Sequence, residues 1–272
     1  MSNRTHALSV DLEDWFHAEL VRKKALHQEN FIPQSLPPVL DLLDKYKVKA
    51  TFFILGSVVE NNIALIQKII KTGHEIASHG FSHKPLWELT PEDLNRELQQ
   101  TEEVIRVIDP KVKIKGYRAP TFSLNESTSW ALRVLNDRGY RYDSSIFPLK
   151  NSLYGVSNAP LCIYRPDLNN IVRESTDGSL FEFPLTVFKL GKLKIPVAGG
   201  FYLRAIPLKI VVACLKKIDR ANRPFVIYFH PWECDPNVPK IDLSFLASFI
   251  TYYRIDKMLI KLEHLLKYFD FS

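Results

Sequence analysis

Residues 48–79 read VKATFFILGSVVENNIALIQKIIKTGHEIASH. VKATFFILG is a short continuous apolar run ending at Gly56, the form of a strand buried on both faces. SVVENNIALIQKIIKTG then takes up a helical period, with Ser57 placed as N-cap and Gly73 as the stop. HEIASH returns to a buried-strand pattern. Two strands joined by a helical crossover lie parallel, so this unit predicts an α/β fold.

The same alternation runs outward in both directions. Before it come a buried strand, HALSVDL, and a helix opened by proline, PPVLDLLDKYK. After it come the helix TPEDLNRELQQTEEVIRVID with Thr90 as N-cap, the strand KIKGYRA, the helix NESTSWALRVLNDRG and the strand YRYDSS. An irregular insertion is expected at about 147–180, where NSLYGVSNAP and STDGS are turn signals; its length makes it a candidate lid or substrate contact. Beyond it lie the strand LFEFPLTV, the helix IPLKIVVACLKKIDRAN, the strand PFVIYFH and a last helical run, IDKMLIKLEHLLKYF. Repeated strand–helix units without a glycine-rich phosphate loop predict a barrel rather than a dinucleotide-binding sheet.

A chain of 272 residues, 46% hydrophobic, can bury the core of one large domain, so residues 1–272 are expected to form a single unit. The start, MSNRTHALSVDLEDWF, has no basic segment followed by an apolar run, which predicts a cytoplasmic protein. Cys162, Cys214 and Cys234 are too irregularly spaced for a zinc ribbon and are expected to be reduced thiols. The net charge of +6 suits an anionic partner, such as a nucleotide-linked sugar, a lipid pyrophosphate or a membrane surface. No arginine-rich tract singles out nucleic acid, and most of the cations sit on scattered helical faces such as LVRKKALH.

Ionisable residues collect where the strands end, which is where barrel enzymes assemble their sites. SVDLED places Asp11, Glu13 and Asp14 after the first strand, and SHGFSH places His79 and His83 after the third. YRAP carries Arg118, YDSS carries Asp143, and YFHPWE carries His230 and Glu233. Four residues apart on a helical turn, His79 and His83 would share one face and could share one cation. Two imidazoles and a carboxylate, with positions left for water and substrate, make a catalytic zinc site. The acids have a plainer reading as a solvated turn or a helix N-cap. Trp232 and Trp87 read as packing before sugar platforms, while Gly199 and Gly200 suit a tight turn or a close substrate approach equally. His17 lies near the first-strand acids without a role of its own.

Taken in order, ALSVDLEDWF, VKATFFILG, GHEIASHGFSH, GYRAPTFSL, GYRYDSSIFP, FPLTV, IPVAGGFYLR and VIYFHPWE resemble the polysaccharide deacetylase family, also called the NodB-homology group or carbohydrate esterase family 4. The likeness points to the branch tied to exopolysaccharide and surface-polysaccharide biosynthesis. It implies a distorted (β/α)7-type barrel with parallel strands and the active site at the C-terminal strand ends. It also implies Asp11 as general base, Arg118 of Arg-Ala-Pro as its holder, and His79 and His83 as metal ligands. His230 would be the general acid, with Asp143 as its orienting partner. The family's commonest form has two adjacent aspartates, whereas this chain reads Asp11-Leu12-Glu13-Asp14; Asp14 is the favoured third ligand and Glu13 the alternative. Thr121 replaces the aromatic usual after Arg-x-Pro, with Phe122 next to it.

The implied activity is metal-dependent hydrolysis of the N-acetyl group of an N-acetylated sugar, whether polysaccharide, lipid-linked or nucleotide-linked, giving acetate and a free amine. Zinc is the default ion, with cobalt, nickel or manganese as other occupants. A cytoplasmic site of action would favour an intermediate at the inner face of the membrane and peripheral membrane association. Hydrolysis of a non-sugar linear or cyclic amide, and silent sugar binding, are the alternatives.

Overall fold

The computed structural model describes residues 5–151 and 153–271. The first residues of the stretch inspected for a leader, and one residue of the expected insertion, lie outside them.

In chain order the elements are β1 (Ala7–Leu12), α1 (Ile32–Lys45), β2 (Thr51–Ile54), α2 (Ile63–Lys71), β3 (Glu75–Ser78), α3 (Pro91–Ile108), β4 (Gly116–Tyr117), α4 (Trp130–Asp137) and β5 (Tyr142–Asp143). There follow β6 (Pro166–Asp167), β7 (Asn170–Glu174), β8 (Phe181–Glu182), β9 (Val187–Leu190), β10 (Leu193–Pro196), α5 (Gly200–Ala205), α6 (Leu208–Arg220), β11 (Val226–Phe229), α7 (Phe245–Tyr252) and α8 (Met258–Tyr268). Seven strands form one parallel sheet in the order β11-β1-β2-β3-β4-β5-β8, the distorted seven-stranded barrel that the family resemblance implies.

Register decides which face each side chain meets. Asp11 lies opposite Phe53, which lies opposite Ala77, and this row faces the barrel interior with Ser9. The next row, Leu12, Ile54, Ser78, Tyr117 and Asp143, faces the other way. On that outer side Leu8, Val10 and Leu12 pack with Leu36, Leu40 and Ile66 of the covering helices. Tyr117 packs with Leu94, Leu98, Leu132 and Leu135 of α3 and α4.

No ladder joins β8 to β11; the seam is closed by the chain after β8. Thr186 Oγ1 accepts from Val226 N at 2.7 Å and donates to Val226 O at 2.7 Å. Val197 N donates to Thr186 O, Tyr228 N donates to Ala198 O at 2.8 Å, and Gly199 forms a parallel bridge with Tyr228. A Cβ on Gly199 would fall 1.7 Å from Tyr228 O, so the close approach that requires this glycine is to β11, not to a substrate.

Several boundaries differ from the sequence-based expectation. α2 begins at Ile63, after 3-10 turns at Gly56–Val58 and Glu60–Asn62, and Ser57 does not cap it. Thr90 does cap α3, in a reciprocal box with Asp93. The insertion is not structureless, since β6 and β7 pair antiparallel within it; β9 and β10 form a second hairpin, and α7 is a further helix that periodicity did not reveal.

Candidate active site

The carboxyl ends of β1, β3, β4 and β11 converge on one cleft of about 140 Å³, lined by Asp11, Glu13, His79, His83, His230 and Glu233. Its walls include Phe122, Tyr154, Phe201 and Trp232.

β1 ends in a tight turn, Glu13 N donating to Asp11 O, that sends both acids to the cleft floor. Glu13, His79 and His83 offer ligand atoms that all lie within 4.8 Å of one another, and all three residues are buried. Glu13 Oε2 pairs with His83 Nε2, lies 3.9 Å from His79 Nε2, and makes no hydrogen bond of its own. A buried carboxylate oxygen aimed between two imidazoles, without a hydrogen bond to satisfy it, fits a divalent cation, and the nitrogen and oxygen donor set suits zinc, cobalt or nickel. Burial opposes the charged form of Glu13, yet His83, His230 and His79 together hold its carboxyl well below the usual range.

Asp14 does not join this group. One of its oxygens accepts from Trp15 N at 2.8 Å and the other from Phe31 N at 2.7 Å. It is the N-cap of the turn Trp15–His17, and His17 Nδ1 accepts from Asp14 N to complete the box. Glu13, the alternative to Asp14 in the sequence, is the carboxylate that stands with His79 and His83, while both Asp14 oxygens are engaged by backbone N–H groups.

His79 and His83 sit on a loop and not on a helical turn. Gly80 takes φ +78° and His83 φ +60°, a reversal that turns both rings inward. The rings are 5.2 Å apart. His79 Nδ1 meets Arg118 O at 2.7 Å, the backing a metal-bound imidazole needs, and burial lowers its pKa to about 4, which keeps it neutral. Glu97 of α3 anchors the loop: its Oε2 accepts from Phe81 N and Ser82 N at 2.6 and 2.7 Å, and its Oε1 from Ser82 Oγ. Thr101 Oγ1 donates to Gly80 O at 2.9 Å. Neither residue was singled out from sequence, because on α3 they read as ordinary amphipathic pattern.

Arg118 is fully buried and runs along the barrel interior. Nη1 donates to Asp11 Oδ1 and Ser9 Oγ, Nε to Ser144 O and Nη2 to Ser144 Oγ, while the guanidinium lies 4.0 Å from the centre of the Phe53 ring. Asp11 is thus gripped through one oxygen, and the other, Oδ2, lies 3.9 Å from His230 Nε2.

His230 Nδ1 is 2.8 Å from Glu233 Oε2, and its Nε2 is 3.6 Å from Glu13 Oε1. Burial works against its protonation, but Glu13, Glu233 and Asp11 overcome this and raise its pKa to about 9. Glu233 is locked in turn by the buried Arg204, whose Nε donates to Oε1 at 2.9 Å and whose other nitrogens donate to Tyr253 O and Ile250 O. The partner of His230 is therefore Glu233, three residues on, and not Asp143. Asp143 belongs to the outward row of its strand, where Ser145 Oγ donates to it and Glu182 shares its environment.

Trp232 is buried and stacks at 5.5 Å on His230, joining packing and cleft wall in one residue; Trp87 does not line the cleft. Thr121 and Phe122 both line the cleft. The first part of the 147–180 insertion reaches the cleft through Leu153 and Tyr154.

Residues 25–142 match the family model for polysaccharide deacetylase, and residues 144–272 match that of a domain of unknown function (DUF3473). A chitooligosaccharide deacetylase of Sinorhizobium fredii is 33% identical over 88 residues, 32% of this chain and 41% of that protein. The peptidoglycan-N-acetylmuramic acid deacetylase PdaC of Bacillus subtilis is 35% identical over 86 residues, 32% of this chain and 17% of that protein. The matched region thus spans well under half of either relative. A solved structure from Mycobacterium smegmatis, named for the polysaccharide deacetylases, superposes with a TM-score of 0.60 at 18% identity, covering 99% of this chain and 87% of its own; it shares the fold.

Proposed function

Because residues 25–142 of the chain belong to the polysaccharide deacetylase family, we propose that this protein is a metal-dependent N-deacetylase acting on an N-acetylated sugar. The observation that carries the proposal is the juxtaposition of the Glu13–His79–His83 group with Asp11 on one side and His230 on the other.

A divalent cation held by Glu13, His79 and His83 would supply Lewis acidity toward water and the acetyl carbonyl. Asp11, fixed by Arg118 at one oxygen, uses the other to take a proton from the attacking water as it adds to the carbonyl carbon. His230, its Nδ1 held by Glu233, gives its Nε2 proton to the amide nitrogen as the carbon–nitrogen bond breaks. Acetate and a free amine result. Glu233, backed by Arg204, keeps the His230 ring turned so that Nε2 faces the cleft. Phe122, Tyr154 and Trp232 offer apolar faces to a sugar ring.

The test is acetate release from N-acetylated oligosaccharides by the wild type and by Asp11→Asn with its metal content measured alongside. A fall of about 10²-fold or more with metal retained is expected when a general base is removed. A variant retaining more than about a tenth of the rate would overturn the assignment of Asp11.

A further inference from the structure

The run Leu243–Tyr253 contains no charged residue, yet of α7 only Thr251 is buried. Phe245 is 88% exposed, Leu246 65% and Phe249 41%. A helix apolar on all sides belongs inside a core or against lipid, and monomers seldom leave such clusters in water.

α7 stands at the mouth of the cleft. Ile250 and Thr251 line that cleft, and Phe249 packs at 5.7 Å on Phe201, which lines it too. Beside it, Val21 and Ala25 pack on the same small apolar cluster as Ile241, Leu243 and Tyr252. Their turn presents Lys23 and Lys24 to solvent and leads to Leu26, which is 90% exposed. Lys240, Arg254 and Lys257 are exposed at the two ends of the helix and, with Lys23 and Lys24, outnumber the nearby Asp242 and Asp256.

We propose that α7 is a membrane-docking helix that sets the cleft mouth against an anionic lipid surface. Exposed aromatic and aliphatic side chains ringed by cations are the chemistry that binds such a surface. A second copy seated on α7 through the same face would set these cations against their own counterparts, whereas an anionic lipid surface complements them. A bilayer in the same place presents a sugar carried on a lipid to the opening. The role in substrate delivery rests on the deacetylase function proposed above; the docking itself does not.

The experiment is flotation of the full chain with phosphatidylcholine vesicles with and without about a third phosphatidylglycerol, beside light scattering in solution. Wild type is expected to float with the anionic vesicles, and Phe245→Ser, Leu246→Ser and Phe249→Ser combined to lower the bound fraction about tenfold or more. Circular dichroism checks the fold of that variant. Phe245→Ser alone, at the most exposed position, gives a smaller loss in the same direction if the triple variant does not fold. Acetate release from a short soluble N-acetylated oligosaccharide should be unchanged by Phe245→Ser, since that residue is 88% exposed and lies outside the cleft lining. Wild type that stays off both kinds of vesicle would overturn the proposal, as would a dimer that the substitutions dissociate. Vesicle binding without any acetate release would sink the deacetylase function and leave the docking helix standing.

Discussion

Glu233 and His230 form a pair within one turn: the Nδ1 of the imidazole lies 2.8 Å from Oε2, and the backbone N–H of His230 reaches the same oxygen at 3.2 Å. Pro231 opens the turn that brings the two together, so ring and carboxylate are fixed by the same short stretch of backbone.

Glu233→Ala is expected to lower kcat by roughly 10–100-fold with KM little changed, because it frees the ring that donates the proton without touching the sugar walls. Asp143→Asn, at a residue outside the cleft lining, should leave kcat within about twofold. Steady-state kinetics on the two variants decide between Glu233 and Asp143 as the positioning carboxylate.

Glu13 and Asp14 should separate cleanly. Glu13→Ala is expected to retain less than about a tenth of the bound metal, since one of three ligands is gone. Asp14→Ala should keep the metal but lose about 1–2 kcal/mol of stability, the cost of an N-cap and of a second buried N–H left without its acceptor. Metal analysis and denaturant unfolding on both variants give the answer.

Glu97 acts on the metal group at one remove. Glu97→Ala leaves the N–H groups of Phe81 and Ser82 without their acceptor, and the loop carrying His79 and His83 loosens. Metal affinity should fall about 10–100-fold, the range found when a supporting contact behind a ligand is lost. Competition with a chromogenic chelator measures it; an unchanged affinity would show that the loop holds its shape without α3.

Asp143 and Glu182 lie opposite one another on β5 and β8, fully buried, and burial raises both carboxyls, Glu182 well above its ordinary value. The unfolded chain releases these protons in the usual carboxylate range while the folded chain still holds them. The stabilising contribution of this pair is therefore fully present below that range and declines as pH rises toward the folded values, by up to about 1.4 kcal/mol per pH unit for each proton retained. Glu182→Gln keeps an oxygen for Ile146 N and removes one titrating group, so its stability should decline less between about pH 5 and about pH 8. Urea unfolding across that span would give parallel curves if the pair were already ionised.

The sequence made the fold legible because parallel buried strands are continuous apolar runs, and VKATFFILG and HEIASH are such runs with a helical period between them. It left β8 too long and hid α7, whose apolar residues show no polar face to mark a period. Within the site, the residues at strand ends were legible as a set: Asp11, Arg118, His79, His83 and His230 do converge. What failed was the choice among neighbours. Asp14 followed three positions later by His17, and His230 followed by Pro231 and Glu233, are both capping patterns, and weighing them would have favoured Glu13 as ligand and Glu233 as partner. Asp143 misled because a residue's side of a strand depends on register, and register with β4 and β8 is invisible in one chain read linearly.

The sheet runs across the boundary between the two matched stretches: β2, β3 and β4 lie in the first and β8 and β11 in the second, β5 sits at the junction, and β1 precedes both. Asp11 and Glu13 come from before residue 25, His79, His83 and Arg118 from the first stretch, and His230, Glu233 and Arg204 from the second. A chain divided near residue 143 would leave Asp11, Glu13, His79 and His83 on one fragment and His230 on the other. Under the proposed mechanism, neither stretch carries a complete site, and each depends on the strand order that the other completes.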